Sequence, residues 1–347
     1  MRFRRVLLAA AVCGAGGVSC GAPGPGASPR EVVIEVPAGA PFDAVVDTLE
    51  ARGLVAHPSL FGAYARLRGV ARAIRAGSYS FPADAGWDHI LDDLVAGRIL
   101  TVPVTIPEGF TLPRIAGRVA PIVEEHPDTV LRRLRRGEVL DSVRVPGPGL
   151  EGYLFPDTYR FARGTSLVRV VRAMVERYRE FWTPERRTRL DSLEMTESEL
   201  VTLASIVQAE GRVEAEMDTI ASVYHNRLAR GYRLEADPTV LYALGGHRER
   251  LLYAAMDSVA DHPYNTYTRR GLPPGPIGSP GNHALLATLA PASTDYLYFV
   301  ARPGGTHIFS RTLVEHNRAI ARARRERERT ERRSEGSPES PDGDAFP

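Results

Sequence analysis

The sequence predicts an α+β fold in two domains, a small one over residues 31–105 and a larger one over residues 106–320. Apolar residues alternate in short segments such as Glu31–Val36, as they do in a strand with one buried face. In longer segments such as Glu197–Gly211, apolar residues recur at helical spacing. With 347 residues, 43% of them hydrophobic and 25% charged, the chain is long and apolar enough for about two globular domains.

The small domain contains two predicted strands and three predicted helices. The strands cover Glu31–Val36 and Arg75–Phe81; the helices end near Gly53, cover Ser59–Leu67 and cover Trp87–Ala96. Tyr79 and Trp87 could stack on a sugar, although aromatic residues at such positions more often belong to a core. These residues alone do not reveal a binding site.

The large domain opens with a predicted strand at Val102–Ile106 and continues through helical, arginine-rich residues 117–149. An amphipathic helix is expected over residues 164–183, and a hairpin is expected from strands Tyr296–Val300 and Thr306–Phe309. Residues 321–347 are charged and lack apolar periodicity, so we expect a frayed helical extension that runs into a disordered tail.

The first 30 residues have the pattern of an export signal followed by a tether. Residues 1–20 combine a basic start with a short apolar segment, and Val18–Gly21 resembles a lipoprotein processing site at which Cys20 would be lipidated. Gly17 departs from that pattern, and plain secretion or a membrane span are the alternatives. Residues 21–30 contain no core-forming residues and predict a flexible tether.

Composition excludes several kinds of chemistry. A net charge of +2 gives no long-range attraction to nucleic acid, and the absence of lysine excludes Schiff-base chemistry. Both cysteines, Cys13 and Cys20, lie in the leader, so the folded domains have no thiol nucleophile. The nine histidines form no metal-binding motif, and we expect neither a metal nor a cofactor.

The candidate catalytic residue is Glu210, at the end of the predicted helix Glu197–Gly211. Ser198 is a plausible N-cap for this helix, and Gly211 is a natural stop signal. Glu210 falls near the apolar stripe, where partial desolvation would raise the pKa of its carboxyl group and keep it protonated, as a general acid requires. The alternative is a surface carboxylate at a fraying helix end.

Two other glutamates, Glu108 and Glu151, compete with Glu210 for this role. Each precedes a glycine and an aromatic residue, which suits a turn in which backbone N–H groups bind the carboxylate. Such hydrogen bonds lower the pKa of a carboxyl group and make it a poor acid.

Long motifs along most of the chain resemble one family. They are PEGFTLPRIA (Pro107–Ala116), LEGYLFPDTYRF (Leu150–Phe161), the Glu197–Gly211 helix, ASVYHNRLARGYRLEADPTVLYALG (Ala221–Gly245), YNTYTRRGLPPGPIGSPGN (Tyr264–Asn282) and the segment Pro291–Asn317. Together they resemble the endolytic murein transglycosylases, the MltG or YceG-like family. In that family the helix typically ends in Glu-x-Glu, and the second glutamate is catalytic. Here Gln208 replaces the first, which leaves Glu210 alone, and Gly211 stands where a hydroxyl residue is frequent.

The resemblance implies a LysM-like module over residues 31–105 and a catalytic domain over residues 106–320. It implies cleavage of the MurNAc-β-1,4-GlcNAc bond within nascent glycan strands, giving 1,6-anhydro-MurNAc ends, with one glutamate as acid and then base. The implied partners are peptidoglycan strands, peptidoglycan synthases and, through an N-terminal anchor, the inner membrane, so the implied location is the cell envelope. A non-catalytic wall-binding scaffold and a hydrolytic muramidase are the alternatives.

Further residues are candidates for substrate binding. Asn226 and Arg227 follow an apolar helical run, and Asp237 starts the next helix, where capping is the other explanation. Tyr264, Asn265, Thr266 and Tyr267 supply stacking faces and hydrogen-bonding groups without a core pattern. The glycine- and proline-rich segment Gly271–Gly281 could form the wall of an open cleft.

Overall fold

The computed structural model describes residues 30–246 and 256–335. The predicted leader and the lipidation site at Cys20 lie outside this range, as do all but the last residue of the tether. The chain divides into two compact units between Leu100 and Thr101, about five residues before the predicted boundary. Each unit combines helices with antiparallel strands, which confirms the predicted α+β class.

The first unit consists of a two-stranded antiparallel sheet and three helices. Its elements are β1 (Glu31–Val36), α1 (Phe42–Ala51), α2 (Pro58–Leu67), β2 (Gly77–Pro82) and α3 (Trp87–Ala96). The two strands pair with Ile34 opposite Tyr79, and the apolar faces of all five elements form one core. Tyr79 is fully buried and Trp87 packs edge-on against Phe61, so both aromatics belong to this core.

The second unit begins with a two-stranded sheet and five helices, most of which share one core. The elements are β3 (Val102–Ile106), α4 (Leu112–Val123), α5 (Pro127–Arg135), α6 (Glu138–Asp141), β4 (Asp157–Phe161), α7 (Leu167–Arg179) and α8 (Pro184–Ser192). β3 and β4 are antiparallel neighbours, so the PEGF turn that follows β3 and the LEGYLF segment that precedes β4 lie at the same end of this sheet.

α9 (Glu197–Glu210) is the central helix of the second unit. We expected one apolar face, but every residue from Leu200 to Val207 is buried, because α9 packs against both α10 (Met217–Ala229) and α12 (Asn282–Leu289). The proposed N-cap at Ser198 was wrong: Ser198 lies inside the helix. Thr196 is the N-cap and forms a reciprocal capping box with Glu199.

The Gly271–Gly281 segment is not an exposed cleft wall, because residues 275–281 are buried. The backbone N–H of Ile277 donates to the Ser205 hydroxyl of α9 at 3.0 Å. The same segment exchanges backbone hydrogen bonds with the PEGF turn, from Gly109 N–H to the Ser279 carbonyl and from Ser279 N–H to the Phe110 carbonyl. It therefore joins the PEGF turn to α9.

The remaining described elements complete the second unit: α11 (Asp237–Ala243), β5 (Tyr298–Ala301), β6 (His307–Ser310) and α13 (Leu313–Glu335). β5 and β6 form the predicted antiparallel hairpin. Residues 321–335, for which we expected a frayed helical extension, continue α13. Within the part of the chain that the structure describes, no helix is both long and apolar enough to cross a membrane.

Candidate active site

Glu210 is the last residue of α9, and its position follows from how the helix ends. The buried residues Leu203, Ile206 and Val207 fix this end of α9 against α10. Gly211 closes the helix by donating its N–H to the Val207 carbonyl at 2.8 Å. A Cβ at Gly211 would lie 2.8 Å from Met217 Cγ, so close packing favours glycine at this position. The chain turns away at once, and Glu210 projects from a rigid helix end.

The carboxyl group of Glu210 is held in a largely desolvated environment. Burial is the main cause that raises its pKa to about 7, and the negative charge of Asp237 raises it further. One hydrogen bond acts in the opposite direction: the hydroxyl of the buried Tyr224 donates to Glu210 Oε1 at 3.3 Å. Near neutral pH a large fraction of Glu210 is therefore protonated, as the sequence predicted for a general acid.

Asp237 and Tyr267 complete the surroundings of Glu210. Asp237 is the first residue of α11 and is exposed, and Tyr267 donates its hydroxyl hydrogen to Asp237 Oδ1 at 2.5 Å. Burial is the main cause that raises the pKa of the Tyr267 hydroxyl, and the charges of Asp237 and Glu210 raise it further. Two of the predicted substrate-binding residues are thus gathered beside the predicted acid.

The side chains of Asn226 and Arg227 form hydrogen bonds with the protein's own backbone. Asn226 Nδ2 donates to the carbonyls of Thr294 and Tyr296, at 2.9 and 3.0 Å. The guanidinium group of Arg227 is buried and donates to the carbonyls of Leu297, Arg233 and Leu234, and it pairs with Glu235 at 3.1 Å. These contacts tie α10 to the strand β5 region and favour structural roles for both residues.

The four residues predicted to line the sugar site separate into two kinds. Asn265 and Thr266 are buried: Asn265 closes a turn through Oδ1 and the Tyr267 N–H, and the Thr266 hydroxyl binds the Ala236 N–H at the start of α11. Tyr264 and Tyr267 are partly exposed. The amide and hydroxyl residues thus position Asp237 and Tyr267, while the two tyrosines supply accessible rings.

Glu151 is the second carboxyl group with a strongly altered pKa, and here the prediction from sequence was wrong. Its carboxylate does accept a backbone N–H, from Leu112 at 3.0 Å, and the Tyr242 hydroxyl at 3.1 Å. Both hydrogen bonds lower the pKa, but the cost of burial is larger and raises it to about 7. The two hydrogen bonds, one from a backbone N–H and one from a hydroxyl, therefore lower the pKa of Glu151 by less than desolvation raises it.

Glu108, the third candidate, is exposed, and its carboxylate lies against the backbone of Gly281. A Cβ at Gly281 would fall 1.8 Å from Glu108 Oε1, so this contact needs glycine. Gln208, which replaces the first glutamate of the family's helix ending, accepts the Gly281 N–H at 2.9 Å. Gln208 thus fastens the end of the Gly271–Gly281 segment to α9.

Tyr224 and Tyr242 were not predicted from the sequence to lie at these carboxyl groups. Each lies in an apolar helical run and looks like an ordinary core aromatic, and only the packing of α10 and α11 brings its hydroxyl to a carboxyl group. Across residues 30–246 and 256–335, no group of histidine, cysteine, aspartate and glutamate side chains has the arrangement of a metal site.

Comparison with known proteins gives consistent results. The chain is 32% identical over 308 residues to the endolytic murein transglycosylase of Bacillus subtilis strain 168, covering 84% of each protein. It is 30% identical over 324 residues to the endolytic murein transglycosylase of Streptococcus pneumoniae strain D39, covering 85% of this chain and 58% of that protein. The crystal structure of a YceG-like protein from Listeria monocytogenes matches with a TM-score of 0.57 and 33% identity, over 84% of this chain and 99% of that one. Residues 34–322 match the model of the YceG-like family. The chain belongs to the YceG-like family.

Proposed function

We propose that this protein is an endolytic murein transglycosylase, which cuts the MurNAc-β-1,4-GlcNAc bond within peptidoglycan strands. The names of its relatives support the activity. The observation that carries the chemistry is Glu210, a carboxyl group on a rigid helix end whose pKa is raised to about 7. Such a group can hold a proton at neutral pH and still recover it during turnover.

In the first step Glu210 acts as a general acid. It gives its proton to the oxygen that links MurNAc C1 to GlcNAc C4, and the C1–O bond breaks as positive charge develops at C1. The GlcNAc residue leaves with a new 4-hydroxyl group. Glu210 is then a carboxylate, stabilised by the Tyr224 hydroxyl at 3.3 Å.

In the second step the same carboxylate is the base. It takes the proton of the MurNAc 6-hydroxyl, and O6 attacks C1 to close a 1,6-anhydro ring. No water is consumed, and Glu210 is protonated again. The nucleophile belongs to the sugar that is cleaved and therefore has a high effective concentration at C1. The reaction thus does not need the second carboxylate that hydrolysis uses.

One observation favours the hydrolytic alternative. The Asp237 carboxylate is close enough to Glu210 to raise its pKa, so the site has a second carboxylate that could activate a water. Asp237 is, however, bound by the Tyr267 hydroxyl, and its influence on Glu210 also serves transglycosylation because it keeps the acid protonated. We therefore prefer transglycosylation.

Mass spectrometry of the products from defined, uncrosslinked glycan strands tests the proposal. A transglycosylase releases fragments with 1,6-anhydro-MurNAc ends, which are lighter by one water than the reducing ends of a muramidase. Cuts within the strand, rather than release of disaccharides from an end, would support endolytic action. Reducing ends would establish the muramidase, and binding without turnover would establish a scaffold.

The setting of the enzyme is part of the same proposal. A lipid anchor at Cys20 would hold the catalytic unit outside the cytoplasm at the membrane, beside peptidoglycan synthases that make its substrate. We propose a LysM-like, peptidoglycan-contacting role for the first unit; its support is the resemblance together with an independent core in residues 34–94. The competing role for this unit is to position the catalytic unit.

A further inference from the structure

A second group of side chains in the catalytic unit is not used by the proposed mechanism. Glu151, Tyr242 and Tyr264 come from three separate segments of the second unit and meet around one carboxylate. Tyr242 donates its hydroxyl hydrogen to Glu151 Oε2 at 3.1 Å. The rings of Tyr242 and Tyr264 lie 4.9 Å apart between centroids, with their planes tilted by 42°. We call these three residues the tyrosine platform.

The platform has the composition of a sugar-binding surface. All three residues are partly exposed, so two adjoining aromatic rings are accessible next to a carboxyl group that is itself largely desolvated. A tyrosine ring offers a flat apolar face to the C–H groups of a pyranose ring, and its hydroxyl group can form a hydrogen bond at the edge. The two hydrogen bonds to Glu151 use about half of the acceptor positions of a carboxylate, which leaves sites for a hydroxyl or amide N–H group of a sugar.

The platform is also rigidly built. Glu151 is held from the other side by the Leu112 N–H, at the first residue of α4. Gly152, with a φ of +86°, packs so tightly that a Cβ would lie 2.5 Å from Pro276 and 3.2 Å from Val201 of α9. Pro148 and Tyr264 both approach Gly275 within 3.2 Å of its Cβ position. The carboxylate and the rings are therefore fixed before any ligand arrives, which favours binding.

α11 links the platform to the candidate active site. Asp237 begins this helix beside Glu210, and Tyr242 lies five residues further along it. At a rise of 1.5 Å and a rotation of about 100° per residue, the two positions are about 8 Å apart along the helix axis and about 140° apart around it. A glycan strand whose scissile bond lies at Glu210 and which passes around α11 would bring a neighbouring sugar to the platform.

We infer that Glu151, Tyr242 and Tyr264 form an auxiliary subsite that binds a pyranose ring of the glycan strand away from the bond that is cut. Tyr264 stacks on the sugar, Glu151 accepts a hydrogen bond from it, and Tyr242 orients Glu151. Such a subsite increases the affinity for strands that continue beyond the cut, and it therefore directs cleavage to the interior of strands. The inference rests on the proposed function, because it takes peptidoglycan strands as the ligand.

The test measures affinity as a function of strand length. Uncrosslinked glycan strands of increasing length are titrated into the full-length protein carrying Glu210→Gln, so that they are not cut, and into the same protein with Tyr264→Ala or Tyr264→Phe. We expect a gain in affinity at the length where a strand reaches the platform. Tyr264→Ala should remove most of that gain, about fivefold to tenfold, while Tyr264→Phe should keep it because the ring remains.

A second pair of variants tests the role of the carboxylate. Tyr242→Phe removes only the hydroxyl that orients Glu151 and should reduce the gain. Its control, Tyr159→Phe, removes a comparable hydrogen bond, from the Tyr159 hydroxyl to the Phe155 carbonyl at 2.7 Å, outside the platform and should leave the gain intact. Equal length dependence in the parent and in Tyr264→Ala, or equal weakening of the shortest strands, would overturn the inference alone. A parent protein that neither binds nor cuts any strand would overturn the proposed function and this inference with it.

Discussion

The hydroxyl of Tyr224 donates a hydrogen bond to Oε1 of Glu210 at 3.3 Å, from a ring that is only 1% exposed. Because the donor stabilises the ionised carboxylate, it counteracts the burial and the Asp237 charge that raise the pKa of Glu210. The result is a carboxyl group whose pKa lies near 7 and which can therefore serve in both protonation states.

Replacement of the acid should abolish most of the activity. Glu210→Gln keeps the size of the side chain but cannot give up and recover a proton, and general acid–base catalysis is typically worth about 10²–10⁴-fold. We expect the rate of release of anhydro-ended fragments to fall at least into that range, while thermal stability stays level or rises. Glu108→Gln is the matched control, since its exposed carboxylate should matter more for stability or binding than for chemistry. Release near the parent rate by Glu210→Gln would remove Glu210 from the mechanism.

The pH dependence of kcat/KM should have a limb that falls above about pH 7, because the first step needs protonated Glu210. Two substitutions should move this limb in opposite directions. Tyr224→Phe removes the hydrogen bond that lowers the pKa of Glu210 and should shift the limb to higher pH. Asp237→Asn removes the charge that raises this pKa and should shift the limb to lower pH. Limbs that coincide in all three proteins would mean that another group sets the pH dependence.

Glu210 should also make stability depend on pH. Its pKa in the folded protein exceeds the ordinary value of 4.5, so its favourable contribution is complete below pH 4.5 and is lost as the pH rises to about 7. Denaturant unfolding should show Glu210→Gln gaining stability over the parent with rising pH, by about 3 kcal/mol at most by pH 8. For Tyr159→Phe the difference from the parent should not vary over this range, because burial raises the pKa of that hydroxyl above its ordinary value of 10. A constant difference for Glu210→Gln would show that its carboxyl group is solvated in the folded protein.

Anchoring should depend on Cys20, which lies outside the described residues. Cys20 is the single cysteine that would remain after cleavage immediately before it, and residues 21–30 have the composition of a tether. We expect Cys20→Ala to release the protein from membranes or to leave it unprocessed, and the intact mass of the mature parent protein to include a lipid. Cys13→Ala is the control and should change neither. An uncleaved N-terminus in the membrane would indicate a helical anchor instead.

The α+β class, most helices and strands, the hairpin and the place of Glu210 at the end of α9 could all be predicted from the sequence. These features depend on local periodicity, on stop signals such as Gly211 and on long motifs, all of which can be read along the chain. The same local reasoning misplaced the cap of α9, which is Thr196 and not Ser198.

The surroundings of each carboxyl group, by contrast, depend on the tertiary structure. Tyr224, Asp237 and Tyr267 come from different segments, so no local pattern announces that they meet at Glu210. For Glu151 the sequence correctly suggested a backbone N–H donor but gave the wrong direction for the pKa, because desolvation depends on everything packed around the group. Hydrogen-bonding partners can be guessed from a motif, whereas burial is a property of the whole fold.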